Sequence, residues 1–329
     1  MPHLTEHPEE CLLNHQGKRS DHLLCTSLLV GERWPVASKV LADYIRQSGV
    51  KIVCYDYEFS TVTGPHSCYC DRCLAAFREE AGFSAEEPLT PRVIENAHRT
   101  AWDTFMVRRG ARLLGLMRKT VNEAGATFTV FSLPQSPRTV SVYGVDWREV
   151  VREQGADVIQ IGTSGTWQQM LQSSEAAGST PIMYGVWIIP YSPKHMIPAA
   201  VATRAELLRR VLDSTYGIIF YDRATMDGRS WWNVGETTRL VADFEDLFLH
   251  SRPEPVQGQD PEQVQWVRGK EKQLLCLMNP GNAPAYYTIP LPSGVANGYK
   301  YYTRASVSGS TLEITVPPHD TAVYVFDRQ

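Results

Sequence analysis

Three cysteines close together in the sequence have the spacing of metal ligands. Cys68, Cys70 and Cys73 form a C-x-C-x₂-C pattern, and thiolates at such spacing are typical ligands of a tetrahedral Zn²⁺ site. A fourth ligand must come from elsewhere in the chain: Cys25, which follows a predicted strand, is favoured over His66. Four thiolates leave no open position for water, so the predicted zinc site is structural. The alternative is three free thiols on an ordinary loop.

Two carboxylates lie shortly before these cysteines. Asp56 and Glu58 are two positions apart on a predicted strand, so both side chains point to the same face. The aromatic neighbours Tyr55, Tyr57 and Phe59 would raise the pKa of a carboxyl group held among them. A carboxylic acid with a raised pKa can protonate a leaving group, so Glu58 is a candidate general acid. The alternative is a strand-end acid that caps a helix or forms an ion pair.

The overall composition excludes several classes of protein. The chain has 329 residues and a net charge of −4, so no positive field attracts nucleic acid or an anionic membrane. No apolar stretch approaches the roughly 18 residues of a membrane span, and the polar N-terminal region lacks a signal-peptide core. The cysteines are odd in number with three crowded together, which argues against secreted disulfides and predicts a reducing, cytoplasmic location. Cys54, inside a predicted strand, is interpreted as a small buried hydrophobe.

The segments around these residues alternate between strand and helix patterns. Short runs rich in β-branched and aromatic residues predict strands, at 51–59, 127–133, 157–162, 181–189 and 217–221. Apolar residues at three-to-four spacing predict helices, at 36–47, 91–123 and 198–214. Such alternation is typical of a parallel sheet with right-handed crossovers, and five successive units indicate a (β/α) TIM-like barrel. Active sites of that fold lie in the loops at the carboxyl ends of the strands.

The strand count falls short of a complete barrel. A full barrel has eight strands, and a further candidate near His22–Cys25 still leaves the set incomplete. The predicted fold is therefore a barrel that lacks its first strands, either as the later part of a longer protein or as a shortened barrel. An unpaired parallel edge invites pairing with another subunit, so we expect a homo-oligomer.

The pattern changes near residue 251. Arg252-Pro253-Glu254-Pro255 has the composition of a linker. Beyond it, short alternating segments separated by turn residues predict a small antiparallel β-sandwich. We therefore predict two domains, a barrel-type catalytic domain with the zinc loop over residues 1–250 and a β-sandwich over residues 251–329.

The stretch from Cys25 to Phe77 resembles the family 42 β-galactosidases and related clan A glycoside hydrolases. Members of that family carry an acid/base glutamate at the end of barrel strand four, followed by a zinc-binding C-x-C-x₂-C and a helix. Glu58 matches the acid/base position in this sequence. The zinc positions fall on Cys25, Cys68, Cys70 and Cys73. The resemblance implies a glycosidase barrel for a β-linked sugar, a structural zinc, and a β-sandwich after the barrel.

The sequence departs from the family pattern in two places. Tyr57 replaces the asparagine that precedes the acid/base glutamate and that contacts a sugar hydroxyl in the family. The strand that should end in the glutamate nucleophile reads Pro181-Ile182-Met183-Tyr184-Gly185-Val186-Trp187 and contains no carboxylate. Retaining enzymes need two carboxyl groups about 5–5.5 Å apart, so a second group must be found elsewhere.

Three alternatives are open for the second catalytic group. Asp222 ends the last parallel strand, and a wider carboxyl separation of about 6.5–9.5 Å would suit inversion. Asp56 could work with Glu58 in a D-x-E pair, as in chitinase-like enzymes whose substrate acetamido group attacks. In the third alternative no such group exists, and the domain binds sugar without cleaving it.

Aromatic residues near the predicted strand ends support a carbohydrate ligand, because flat sugar faces stack on such rings. The candidate substrate-binding residues are Tyr57, Tyr184, Trp187, Tyr191 and Trp231. We expect at least one of Trp231 and Trp232 to pack structurally. The favoured function is a glycoside hydrolase, and the alternative is a non-catalytic carbohydrate-binding or assembly domain. A metal-dependent hydrolase is disfavoured, because four thiolates leave zinc no site for water.

Overall fold

The computed structural model describes residues 6–57, 68–162, 167–187, 203–214, 217–221, 227–292 and 295–328. Contacts within the chain separate it into two units. Unit 1 comprises Met1–Ile161 with Gln168–Pro181, and unit 2 comprises Gly162–Trp167 with Ile182–Gln329. The domain boundary near residue 251 stays a prediction. Within the described ranges, no helix combines the length and the apolar character needed to cross a membrane.

Unit 1 begins with an antiparallel hairpin. Strand β1 (Cys11–Leu13) pairs with strand β2 (Arg19–Leu24), and helices α1 (Thr26–Val30) and α2 (Trp34–Ser48) follow. The prediction of a parallel barrel strand at His22–Cys25 is therefore wrong. The segment does form a strand, but it pairs with the preceding strand β1 and not with a barrel strand.

Three parallel strands form the sheet of unit 1. Strand β3 (Ile52–Asp56) pairs with β4 (Thr127–Ser132), which pairs with β5 (Val158–Ile161). Among the described strands, β3 lies at an edge of this sheet. All three lie where the sequence predicted strands. The helices associated with them are α3 (Asp71–Ala81), α4 (Arg99–Glu123), α5 (Trp147–Arg152) and α6 (Trp167–Ala177), with shorter helical turns at Pro8–Glu10, Pro91–Val93, Ile94–His98 and Thr139–Tyr143.

The helix predicted over residues 91–123 corresponds to α4, the longest described helix, whose apolar residues differ in burial. Trp102, Phe105 and Leu113 are buried, whereas Leu116 and Met117 are only partly buried. The helix begins later than predicted, since short helical turns occupy the residues before it. The buried residues anchor α4 in the core of unit 1.

Asp157, immediately before β5, links α4 to the parallel strands. Its carboxylate accepts hydrogen bonds from Arg118 Nε at 2.6 Å, Asn122 Nδ2 at 2.7 Å and the Phe128 N–H at 2.7 Å. Burial disfavours the charged form, but the three donors outweigh it and hold the pKa of Asp157 below its ordinary value. The ionised carboxylate therefore stabilises the fold.

Asp157→Ala is expected to lower the free energy of unfolding by about 2–4 kcal/mol at pH 7, because three donors lose a charged acceptor. A lowered native pKa gives stability that is complete above the unfolded-state pKa of about 3.9 and is lost as the pH falls through the native value. Urea unfolding at pH 7 and near pH 3 tests this, with Asp246→Ala at an exposed position as control. A mutational effect that stayed the same at both pH values would contradict the assignment.

Unit 2 contains two parallel strands followed by helices. Strand β6 (Ile182–Trp187) pairs with β7 (Gly217–Tyr221), and both lie at predicted positions. Helix α7 (Arg204–Asp213) is capped by Thr203, whose Oγ1 accepts a hydrogen bond from the Glu206 N–H. Two further helices are α8 (Gly228–Asp243) and α9 (Glu245–His250).

Antiparallel strands make up the rest of unit 2. They are β8 (Pro253–Pro255), β9 (Val264–Arg268), β10 (Lys272–Asn279), β11 (Ala285–Pro290), β12 (Val295–Lys300), β13 (Ser306–Val307), β14 (Thr311–Val316) and β15 (Asp320–Arg328). One sheet has the order β13-β12-β15-β10-β9-β8, and β11 pairs with β14 in a second. Leu275, Tyr287 and Ile314, from β10, β11 and β14, belong to one buried cluster. The two antiparallel sheets therefore share a hydrophobic core.

Candidate metal centre and the adjoining strand face

The four predicted zinc ligands come together in unit 1. The sulfur atoms of Cys25, Cys68, Cys70 and Cys73 all lie within 4.8 Å of one another, and all four residues are buried. The Sγ of Cys70 is 3.4 Å from that of Cys25 and 3.4 Å from that of Cys68, and all four thiols are free. Four thiolates around zinc at 2.3 Å have sulfur–sulfur separations of about 3.8 Å. The cluster therefore has the donor set and the size that Zn²⁺ requires.

The local backbone presents these thiols to one another. Cys25 and Cys70 are the N-cap residues of α1 and α3, and the positive end of a helix favours a thiolate. Hydrogen bonds from Cys25, Cys68 and Cys73 lower the pKa of the Cys70 thiol. Cys68 has φ of 50°, a left-handed conformation that is uncommon for a residue other than glycine and that often marks a functional constraint.

The N-terminal hairpin brings Cys25 to the loop that carries the other three cysteines. The Cys25 N–H donates to the Glu10 carbonyl at 2.9 Å, and the Tyr69 N–H donates to the Leu13 carbonyl at 2.6 Å. These two backbone hydrogen bonds connect the hairpin region both to Cys25 and to the loop that carries the other three cysteines. Cys25 joins the predicted ligand set, but from an antiparallel hairpin and not from a barrel strand.

An aromatic and charged layer supports the loop. The ring of Tyr69 stacks on Trp102 with centroids 4.7 Å apart, and Phe77 meets Trp102 edge-on at 5.0 Å. The Tyr69 hydroxyl donates to Glu95, which also pairs with Arg99. Burial and the Glu95 carboxylate raise the pKa of Tyr69, so its hydroxyl stays protonated as the donor. This layer holds the Cys68–Cys73 loop against α4.

Ser27 also contacts the cluster, and the sequence analysis missed it. Its Oγ accepts a hydrogen bond from the Cys73 thiol at 3.2 Å. Hydrogen bonds of this kind orient metal ligands. The only signal in the sequence is the position of Ser27 two residues after Cys25, which is weak without the fold.

One face of the sheet carries polar side chains near the carboxyl end of β3. Cys54 is paired with Thr129 in the ladder, and Asp56 with Phe131. The Cys54 thiol donates to Gln160 Oε1 at 3.4 Å, and Gln160 Nε2 donates to Thr129 Oγ1 at 2.9 Å. Cys54 and Asp56 are exposed, so the prediction of a buried Cys54 is wrong. A central strand would have buried it, but β3 is an edge strand.

Several predicted site residues, catalytic and sugar-binding, lie outside the described part of the chain. These are Glu58, Asp222 and Tyr191, together with the competing ligand His66. Asp56, the remaining candidate carboxylate, is the last residue of β3. It is exposed on the polar face of unit 1.

The predicted sugar-binding aromatic residues differ in their exposure. Tyr57 and Tyr184 are buried, at 1% and 0% exposure, and the Tyr184 N–H donates to Ser214 Oγ at 3.1 Å. Trp231 and Trp232 are 51% and 65% exposed, so the expectation that at least one of them packs structurally is wrong. Both lie near the start of α8, and the side chain of Trp187 is outside the described set.

Comparison with known proteins supports the fold. No protein-family model matches the chain, and no curated protein matches it in sequence. Among solved structures, a GH36 α-galactosidase from Geobacillus stearothermophilus, in complex with raffinose, has a TM-score of 0.54 at 10% identity and is matched over 99% of this chain and 42% of its own. A trehalulose synthase variant has a TM-score of 0.50 at 11% identity, over 90% of this chain and 69% of its own.

These similarities concern the fold alone. This chain spans less than half of the Geobacillus enzyme. The chain shares the α/β architecture of these neighbours. Strand pairing among the described residues does not by itself establish a closed barrel. Membership of family 42 and the choice of sugar are not established by these comparisons.

Proposed function

We propose that the chain provides the catalytic region of a glycoside hydrolase that acts on a β-linked sugar, as the family 42 β-galactosidases do. The observation that carries the proposal is the convergence of four cysteine sulfurs at the loop after Glu58, because the family it resembles has its zinc loop at this place. The polar face that ends at Asp56 supports it, since active sites of such folds lie at the carboxyl ends of parallel strands.

In the proposed reaction, Glu58 is the general acid. It gives its proton to the glycosidic oxygen as the bond to the leaving group breaks. Asp222 is the proposed second carboxylate, which takes a proton from the attacking water and gives inversion. A D-x-E pair of Asp56 with Glu58 is the alternative, and it requires a substrate with an acetamido group. Trp187, Tyr191 and Trp231 are the proposed sugar-binding residues, whereas Tyr57 and Tyr184 are buried and present no ring face for stacking.

The metal site has a separate role in this proposal. Cys25, Cys68, Cys70 and Cys73 would hold Zn²⁺, which with four thiolates has no open position for chemistry. When bound, zinc would tie the cysteine loop to the N-terminal hairpin of unit 1. Thiolate ligands require a reducing environment, which is the basis for the proposed cytoplasmic location.

The anomeric form of the first product tests the choice of second carboxylate. Proton NMR during hydrolysis of an aryl β-glycoside is expected to show the α-anomer first, as inversion requires, and Asp222→Asn is expected to abolish turnover. Initial formation of the β-anomer would contradict Asp222 as the base. Turnover restricted to N-acetyl sugars and lost in Asp56→Asn would favour the D-x-E pair.

A second candidate function is carbohydrate binding without cleavage. It is favoured by strand β6, which carries no carboxylate at the position of the family nucleophile. Calorimetric titration with galactosides and other β-linked sugars distinguishes the two functions. Measurable binding together with no turnover of any aryl glycoside would favour the binding domain over the hydrolase.

A further inference from the structure

Helix α2 has an apolar stripe on its exposed side. Val36, Val40 and Tyr44 follow one another at intervals of four residues and are 62%, 66% and 65% exposed, whereas Ala42 and Ile45 of the same helix are buried. Residues four apart lie on one side of a helix. Apolar side chains exposed together on one side of a helix are costly in water and make that side a candidate interaction site.

The outer edge of strand β3 offers backbone hydrogen-bonding groups. The Thr127 N–H donates to the Lys51 carbonyl, and the Tyr57 N–H donates to the Phe131 carbonyl, so odd-numbered residues of β3 direct their backbone groups to β4. Ile52 and Cys54 must direct theirs to the other side. No described strand pairs with that side of β3, and Ile52 is 65% exposed.

Helix α2 precedes strand β3 in the chain, and only residues 49–51 separate them. Helix α4 is the crossover between β3 and β4, and α2 packs against α4 and α1. The exposed stripe of α2 lies opposite Ala42 and Ile45 and therefore faces away from α4 and α1.

We propose that the helix stripe and the strand edge form one surface, and that a second copy of this chain binds to it in a two-fold symmetric dimer. We call it the α2–β3 surface, defined by Val36, Val40, Tyr44, Ile52 and Cys54. A two-fold axis perpendicular to the sheet places β3 antiparallel to its symmetry mate, with Cys54 opposite Cys54. That pair then exchanges both N–H···O bonds, and the sheet continues across the axis.

The same axis places the two α2 helices side by side and antiparallel. Lys39 and Asp43, which are four residues apart next to the stripe, then lie near Asp43 and Lys39 of the second copy. Opposite charges meet across the axis, while Val40 lies close to it. This self-complementarity of charge and backbone favours a second copy over an unrelated partner. The proposal does not depend on any activity towards sugars.

Cys54 provides the first test, because it is the exposed cysteine and the other six are buried. A short bismaleimide crosslinker is expected to convert the native protein to a covalent dimer, because the two Cys54 Cα atoms would be about 5.5 Å apart. Cys54→Ser should abolish the product on a denaturing gel. A dimer in solution that does not crosslink through Cys54 would overturn the proposed register.

Light scattering after size exclusion provides the second test. Val40→Asp should raise the dimer dissociation constant at least about 100-fold, because two carboxylates would be desolvated near the axis. Val142→Asp, at another exposed valine of unit 1 (52% exposed), is the matched control and should leave the dimer intact. A wild-type monomer at about 100 μM, equal effects of both substitutions, or a stoichiometric complex with a different polypeptide would each overturn the proposal.

Discussion

Glu58→Gln is expected to lower kcat towards aryl β-glycosides with poor leaving groups by about 10²–10⁴-fold, with a much smaller change in KM. Glutamine keeps the size of the side chain and its hydrogen-bonding capacity but has no proton to give. The loss therefore concerns the transition state, in which the glycosidic oxygen becomes basic as the bond breaks. A uniform loss of binding would raise KM instead.

The dependence on the leaving group makes this prediction specific. A dinitrophenyl group leaves as a stable anion without help, so the deficit of Glu58→Gln in bond cleavage should shrink with that substrate. The basic limb of the pH profile of kcat/KM, which reports the protonated acid, should also disappear in the variant. Glu123→Gln, an exposed glutamate at the end of α4, serves as the control. Equal turnover by wild type and Glu58→Gln would exclude the proposed role.

Sequence patterns predicted the strands and motifs that the local sequence alone specifies. The five parallel strands were recognised because short β-branched and aromatic runs are too short for buried helices, and Cys68, Cys70 and Cys73 because their spacing is itself the signal. The convergence of Cys25 on these three was also expected. It followed from the position of Cys25 after a predicted strand and agreed with the resemblance, although that strand belongs to an antiparallel hairpin.

The errors concern properties that depend on distant neighbours. The segment at His22–Cys25 has the composition of a strand, but only the fold decides that its partner is β1. Cys54 was expected to be buried because strand residues usually are, yet β3 is an edge strand and leaves it exposed. The same edge position leaves Ile52 exposed as well.

Cys70→Ser is expected to remove the metal and to lower the free energy of unfolding by at least about 3 kcal/mol, which corresponds to a fall in Tm of roughly 10 °C. Serine is a far weaker ligand for zinc, and binding energy of a structural metal is folding energy. Elemental analysis should find about one zinc per chain in the wild type and much less in the variant. Thermal unfolding with and without a chelator measures the stabilisation.

The choice of control separates loss of metal from loss of packing. Cys276 is buried in unit 2. It is distant in sequence from the four cysteines and packs in a different hydrophobic cluster. Burial raises the pKa of its thiol to about 12. Cys276→Ser should therefore lower Tm without changing the zinc content, and a chelator should lower its Tm further, as for the wild type. Cys70→Ser should respond little to the chelator, since its metal is already lost. A wild-type protein that is fully stable and contains no metal would refute the structural site, because the four sulfurs would then be held together by the aromatic layer around Trp102 alone.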